Sequence, residues 1–265
     1  MLRKWTECGP ADGLAVTEWR FVVRKALGLA AVAAVFLAGQ AAAATLTHAY
    51  DFSTSVSGQV LDSVGGANGT LANGATVSGG KLQLNGANDS VDFGTYLLPL
   101  SSNSFSVYLR VQGTPNLGGH TEIISQNATG QGFYIGTAPG GTFRFGDANL
   151  STSVLFPGGE AFHDILLTSG GGATNVSIDG LHVFTGNQIT IGSTGDYTRL
   201  GRQFSPFSEN FDGQIDTLKI FSGVATEADL RDSTVPEPAS WALMILGMGG
   251  IGATLRRLRR TGFTA

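Results

Sequence analysis

The stretch Phe105-Ser-Val-Tyr-Leu-Arg-Val111 decides the fold class of this chain. Apolar side chains alternate in it with the polar side chains of Ser106, Tyr108 and Arg110. Because successive side chains of a strand point to opposite faces of a sheet, this period of two predicts a strand. One face of that strand is expected to be buried, and the other is expected to meet polar surroundings.

Similar runs of β-forming residues recur on both sides of this stretch, at intervals of about eight to twelve residues and separated by Gly, Asn, Asp and Ser. The predicted strands are Leu46–Phe52, Lys81–Leu84, Ser90–Phe93, Phe105–Val111, Glu122–Ser125, Gly132–Ile135, Thr142–Phe145, His163–Thr168, Asn175–Ile178, Leu181–Thr185, Tyr197–Leu200 and Gln214–Phe221. This spacing predicts an all-β protein, a two-sheet antiparallel jelly-roll sandwich.

Two local signals refine this prediction. Asp179-Gly180 lies between two predicted strands, and an Asp-Gly pair in that position is typical of a two-residue hairpin. Thr226-Glu-Ala-Asp229 is a capping-box sequence, which predicts one short helix ending near Arg231.

The N-terminal segment, residues 1–44, has the pattern of a secretory signal peptide. Basic residues precede the apolar stretch Ala26–Gly39, and the small residues Ala41–Ala44 follow it, so we expect a signal helix that is cleaved after Ala42, Ala43 or Ala44. The part before Arg20 is unusually long for such a signal and favours a later start. It contains Cys8, the only cysteine, so the mature protein is expected to have no disulfide.

The C-terminal segment, residues 233–265, combines a proline-rich peptide, an apolar run and a basic tail. These features are Pro236, Glu237 and Pro238, then Trp241–Leu255, then Arg256, Arg257, Arg259 and Arg260. We expect an exposed peptide, followed by a short transmembrane helix at about 239–256 whose basic end stays in the cytoplasm. The apolar run reaches roughly 22 Å against about 30 Å for a bilayer core, which favours temporary retention.

The order of these three parts resembles the PEP-CTERM sorting signal of Gram-negative bacteria. That resemblance implies an exosortase-type enzyme that cuts near Pro236–Pro238, after transient anchoring in the inner membrane. The protein would then pass to the cell surface or extracellular matrix. An ordinary single-pass C-terminal anchor is the alternative.

Residues 45–232 remain between the two signals and are long enough for one domain with a core of its own. They contain seven basic and 16 acidic side chains, a net charge of about −9. Such a surface repels nucleic acid and anionic lipid, and it fits cations or neutral partners such as sugars.

Several motifs of this region occur in the order found in LamG-like domains, which are concanavalin A-like. They are Asp51-Phe52, Asp62–Leu71, Gly86–Gly94, Ser104–Arg110, Phe162–Leu166, Val176–Gly180 and Phe211–Phe221 followed by the Thr226 helix. The resemblance implies a jelly roll of two curved antiparallel sheets. Phe162 stands where that family usually has Trp, and Asp164 where a second His is common.

Alternation along the last predicted strand places Asp216 on the inner face, with Leu218 and Ile220. A carboxylate buried there must be hydrogen-bonded, paired or bound to a cation. The family resemblance implies a structural calcium ion at Asp216, with Asp51, Asp62 and Asn68 as matching ligands. The alternative is that Asp216 accepts hydrogen bonds from the first strand.

No enzyme is predicted. Sandwich glycosidases use two carboxylates close together on one strand, whereas Glu122, Glu160, Glu209 and Glu227 form no such pair within any predicted strand. The four histidines have no metal-ligand spacing. A polysaccharide-active hydrolase is therefore the weakest of the hypotheses on function.

Carbohydrate binding needs an aromatic platform with amide or carboxylate acceptors beside it. The segment Arg202–Asn210 is the predicted loop for such a site, with Phe204 and Phe207 as platform and Asn210 as acceptor. The sequence therefore predicts an exported surface or matrix protein that binds extracellular polysaccharide. A structural or adhesive matrix protein without a sugar site, acting through a surface protein, is the alternative.

Overall fold

A computed structural model describes residues 44–53, 55–101, 103–127, 132–146, 151–192, 196–204 and 209–231. The predicted signal helix, the predicted transmembrane helix, the sorting residues Pro236 to Arg260 and Phe207 lie outside these ranges. Within them, no helix is long and apolar enough to cross a membrane.

The described residues form strands and one short helix. The strands are β1 (Thr45–Tyr50), β2 (Ser55–Val56), β3 (Gln59–Val60), β4 (Gly69–Ala72), β5 (Thr76–Ser78), β6 (Lys81–Asn85), β7 (Ser90–Asp92), β8 (Phe105–Thr114), β9 (Thr121–Gln126), β10 (Phe133–Ala138), β11 (Thr142–Gly146), β12 (Ser151–Leu155), β13 (His163–Gly170), β14 (Ala173–Ile178), β15 (Leu181–Asn187), β16 (Arg199–Leu200) and β17 (Asp212–Ser222). The helix is α1 (Glu227–Arg231).

The strands form two antiparallel sheets. The first sheet has the order β15-β14-β13-β8-β17-β6-β5, and β1 pairs with the second half of β17. The second sheet has the order β12-β11-β10-β9-β16-β7-β4-β3-β2. Neighbours such as β8 and β17 are distant in the chain, as expected for a jelly roll and not for a series of hairpins.

The core lies between the two sheets. In β8 the side chains of Phe105, Val107, Leu109 and Val111 are fully buried, whereas Tyr108 and Arg110 are partly exposed. The ring of Phe105 packs edge-on against Phe133 of the second sheet, with 5.4 Å between ring centroids. The alternation therefore places the apolar face of β8 as predicted, and it confirms the all-β sandwich.

Every predicted strand is present, with its ends shifted by a few residues. The strands that the sequence did not reveal are β2 to β5 and β12. They are short and rich in Gly, Ser and Thr, so neither a run of β-formers nor a clear alternation marks them.

Both predicted local signals are confirmed. Ile178 pairs with Leu181 across Asp179 and Gly180, which have positive φ angles of 52° and 77°, as a two-residue hairpin of this type requires. At the start of α1, Thr226 N–H and Oγ1–H donate to the Asp229 carboxylate at 2.6 and 2.7 Å, which completes the capping box.

Candidate functional site

A polar cleft of about 530 Å³ opens on the outer face of the first sheet. Strands β8, β13 and β17 form its floor, while α1 and the β14–β15 turn form parts of its rim. The lining residues are Asp51, Tyr108, Asp164, Leu166, Asp179, Gly180, Thr217, Lys219, Glu227, Leu230 and Arg231. Its volume lies in the range of small-ligand sites in proteins.

Strand register brings the floor residues together. Tyr108 pairs with Lys219 on one side and with Leu166 on the other. Arg110, two residues further along β8, pairs in the same way with Thr217 and Asp164. Since Leu109 between them points into the core, these side chains must point outward.

Asp164 is the centre of the hydrogen-bond network on this floor. Its Oδ1 accepts a hydrogen bond from Tyr108 Oη at 2.8 Å and another from Arg110 Nη1 at 2.8 Å. Burial and the hydrogen bond to Asp164 raise the pKa of Tyr108. The hydrogen bond to Asp164 also raises the pKa of Arg110, so the tyrosine stays neutral and the arginine stays charged.

Asp179, in the β14–β15 turn, lies at the rim of the cleft. Its Oδ2 lies 2.7 Å from His163 Nδ1, and its Oδ1 accepts the backbone N–H of Asp164 at 2.9 Å. Burial acts to raise the pKa of Asp179, but the hydrogen bonds from His163 and Asp164 outweigh it and lower the pKa. This carboxylate is therefore ionised at neutral pH.

Lys219 joins the floor to the helix. Its Nζ donates a hydrogen bond to the backbone carbonyl of Leu230 at 2.9 Å, within the last turn of α1. Burial lowers the pKa of Lys219. This bond gives one of the free carbonyls at the helix end a donor and holds Leu230 and Arg231 at the cleft rim.

The cleft thus offers hydrogen-bond acceptors and donors side by side. Four carboxylates accept, and Lys219, Arg231 and the Thr217 hydroxyl donate. Tyr108 and Leu166 add apolar surface between them. Such a set matches a ligand rich in hydroxyl groups, because each hydroxyl both donates and accepts.

The prediction that Asp216 points into the core is wrong. A β-bulge between Ile215 and Thr217 places Asp216 and Thr217 together near Arg110, so the alternation shifts by one residue. The Asp216 side chain is 30% exposed on the outer face. It lies 3.4 Å from Arg110 Nε and 3.9 Å from Lys81 Nζ.

The other predicted calcium ligands have protein partners as well. The two carboxylate oxygens of Asp62 receive hydrogen bonds from Ala49 N, Val64 N, His48 Nδ1 and Ala67 N, at 2.7 to 3.1 Å. A carboxylate has about four acceptor positions, so these donors fill them. Asn68 Oδ1 accepts the Asp62 N–H at 3.0 Å, and Asp51 accepts from Ser53 N.

Among the described residues, no three His, Cys, Asp or Glu side chains are grouped as a metal site would need. The structure brings Asp62 and Asn68 together, whereas Asp216 pairs with the side chains of Lys81 and Arg110. A calcium ion at this set of residues stays a prediction.

The predicted sugar-binding loop has a different geometry from the one expected. Phe204 is not exposed: the residue is 8% accessible, and its ring lies under Arg199, whose Cζ is 4.6 Å from the ring centroid. Asn210 Nδ2 donates to the backbone carbonyl of Ala87, which fixes the start of β17 to the loop after β6. Phe204 therefore serves packing in this arrangement.

The structure also joins two glutamates that the sequence presents as isolated. Arg144 Nη1 lies 2.9 Å from Glu122 and 3.0 Å from Glu209. Glu122 is completely buried. Burial and the neighbouring Glu209 carboxylate raise its pKa well above the usual value, although Arg144 acts against this. Because these residues belong to separate strands and a loop, no sequence spacing marks the cluster.

Two parts of the chain match known protein families. Residues 85–231 match the model of the concanavalin A-like lectin/glucanases superfamily. The chain belongs to this superfamily. Residues 234–260 match the PEP-CTERM protein-sorting motif, so both resemblances are confirmed. The motif implies export, sorting to the cell envelope and processing by an exosortase. The description of the superfamily covers both lectins and glucanases.

Solved structures share the fold. Domain 4 of AbnA, a GH43 extracellular arabinanase from Geobacillus stearothermophilus in complex with arabinotriose, has a TM-score of 0.56 at 22% identity, over 72% of this chain and 98% of that one. Trypanosoma rangeli sialidase gives 0.54 at 13% identity, over 70% of this chain and 32% of that one. The binding domain of Paraclostridial Mosquitocidal Protein 1 gives 0.55 at 15% identity, over 70% and 51%.

This chain therefore spans about a third of the sialidase and about half of the mosquitocidal binding domain. Curated proteins give no match. At these identities the likeness concerns the fold alone.

Proposed function

We propose that this member of the superfamily is an envelope or matrix protein that binds extracellular polysaccharide in the outer-face cleft. The observation that carries the proposal is the mixed lining of the cleft, with four carboxylates, two cations and the Tyr108 side chain around one space. Sugar hydroxyls can donate to the carboxylates and accept from Lys219 and Arg231.

The charge of the cleft favours neutral sugars over anionic ones. Arg110 pairs with Asp164, and His163 lies beside Asp179, so these two carboxylates have partners. Asp51 and Glu227, in contrast, form no ion pair with any residue in the described ranges. This excess of negative charge would repel a uronate chain, whereas it would not repel a neutral chain.

Two comparisons support this proposal. A domain of the same fold, AbnA domain 4, has been solved in complex with arabinotriose, and this chain covers nearly all of it. The sorting motif directs the protein to the envelope, where polysaccharide is the surrounding material. On this proposal, the signal peptide leads the chain to the inner membrane, the C-terminal helix holds it there briefly, and exosortase cleavage releases it.

The test is binding of the protein to neutral polysaccharides, including the extracellular polymer of its host, by affinity electrophoresis. We expect Asp164→Asn to weaken binding about tenfold or more, since a hydrogen bond to a charged group is worth about 1.5–3 kcal/mol. Asp212→Asn is the matched control, because Asp212 is an exposed acid on β17 outside the cleft.

Melting temperatures of both variants separate lost binding from lost folding. If Asp164→Asn binds polysaccharide as well as the wild type does, the sugar site lies outside this cleft. Absence of binding to every polysaccharide would favour the alternative, a structural or adhesive matrix protein.

A further inference from the structure

The outer face of the first sheet carries a row of alternating charges next to the cleft. The row consists of Lys81, Asp216, Arg110 and Asp164, one from each of the adjacent strands β6, β17, β8 and β13. The contacts along it are 3.9 Å from Lys81 to Asp216, 3.4 Å from Asp216 to Arg110, and 2.8 Å from Arg110 to Asp164. We call it the outer row. At the usual spacing of strands it extends about 14 Å across the sheet.

The outer row begins inside the cleft and leads out of it. Asp164 belongs to the cleft lining, whereas Arg110, Asp216 and Lys81 lie beyond it. The three charged side chains of Asp164, Arg110 and Asp216 are each 30–41% exposed. Because opposite charges alternate, the outer row presents donors and acceptors in turn and has no net charge.

Phe162 lies over the far part of the outer row. Its ring centroid is 5.5 Å from Lys81 Nζ and 5.9 Å from Arg110 Cζ, and the residue is partly exposed. Phe162 belongs neither to the core cluster nor to the partly buried apolar residues that pack against it. A partly exposed ring beside alternating donors and acceptors is the arrangement on which a sugar ring can stack.

We propose that the ligand is an extended oligosaccharide, with one segment in the cleft and the next segment stacked on Phe162, across Arg110. This proposal rests on the proposed function, and it specifies in addition how long the sugar ligand is. Arg110 is the positioning residue between the two subsites, because it contacts Asp164 of the cleft and the Phe162 ring. A short ligand fills the cleft alone, and only a longer one reaches Phe162.

The experiment uses the full chain purified in detergent, with three neutral glycans as probes: arabinan, dextran and a linear β-glucan. Each glycan is tested both as a trisaccharide and as the polymer. The trisaccharide of arabinan is arabinotriose. The variants are Phe162→Leu, which keeps apolar volume but removes the flat ring, and Phe162→Trp, which restores a ring. We expect Phe162→Leu to weaken polymer binding about three- to tenfold and to leave trisaccharide binding unchanged. Phe162→Trp should bind the polymer like the wild type.

The results separate this proposal from the proposed function. If Asp164→Asn weakens both ligands while Phe162→Leu changes neither, the cleft binds sugar and the extended site is overturned. If Phe162→Leu weakens the trisaccharide equally, or if Phe162→Trp fails to restore polymer binding at an unchanged melting temperature, Phe162 is no separate subsite. If the wild type binds none of the glycans, both proposals fall.

Discussion

Replacing Asp62 by asparagine removes the charge from the most heavily hydrogen-bonded carboxylate described above. The Asp62 side chain has 0% exposure, and its four donors come from β1 and from the loop after β3. Burial alone would raise its pKa, but hydrogen bonds that include those from Ala49, His48 and Val64 outweigh it and lower the pKa from 3.8 to about 2. The folded protein therefore holds this carboxylate in its ionised form.

The pKa difference sets the size of the effect. A change from 3.8 to about 2 corresponds to about 2 kcal/mol of stability at neutral pH. Asparagine also turns a donor toward backbone N–H groups that need an acceptor, at a further cost of about 1–3 kcal/mol. We expect Asp62→Asn to lose about 3–5 kcal/mol in total. For a domain of this size that lowers the melting temperature by about 5–20 °C.

The assay is urea unfolding of wild type and variant at a series of pH values. Because the folded pKa is lowered, the contribution of the charge is complete above the unfolded value near 3.8 and is lost as the pH falls through about 2. The difference in free energy of unfolding between wild type and variant should therefore become smaller as the pH falls from 3.8 to about 2. Asp51→Asn is the control, since Asp51 is exposed and accepts one backbone bond, from Ser53. A variant as stable as the wild type, or a gap that stays constant to pH 2, would refute this reasoning.

Further predictions concern other parts of the chain. Glu122→Gln should gain stability relative to the wild type as the pH rises, because the raised pKa of Glu122 makes the folded wild type keep a proton that the unfolded chain has already released. Urea unfolding at rising pH measures the difference in stability between the two proteins, and a constant difference would contradict this prediction. Gly136→Ala should cost about 1–3 kcal/mol or more, because its Cβ would meet the backbone oxygen of Thr121; an unchanged melting temperature would show that β9 can move aside. Deleting Pro236–Pro238 should leave the protein in the membrane fraction on cell fractionation. Release of the protein from the membrane at the wild-type level would contradict processing by an exosortase.

Much of the fold could be predicted from short stretches of the chain. The alternation in Phe105–Val111, the Asp179-Gly180 turn and the Thr226 capping box each depend on residues close together in sequence. Their physical causes, the pleat of a strand, the positive φ of a tight turn and the free N–H groups of a helix start, are equally local. The family motifs then placed these elements in the right order.

The candidate site was harder to predict, and the errors have specific causes. Strand alternation predicts the wrong face for Asp216, because a bulge is a property of two paired strands and changes no residue type. Phe204 was predicted to be exposed, but Arg199, on β16, covers its ring. In the sequence Asp164 is only a departure from a family pattern, because its position at the centre of the hydrogen-bond network depends on Tyr108 and Arg110 of β8.

The sequence by itself determined the class of fold, the longer strands, the sorting motif and the acidic balance of the domain, because each of these follows from composition or from short patterns of residues. Only the tertiary structure decided which side chains meet. The cleft, the outer row and the cluster of Glu122, Glu209 and Arg144 all join residues from strands and loops distant in the chain. These contacts depend on which strands pair, and β8 pairs with β13 and β17, which lie far from it in the chain, so the residues around each contact in the sequence do not reveal it.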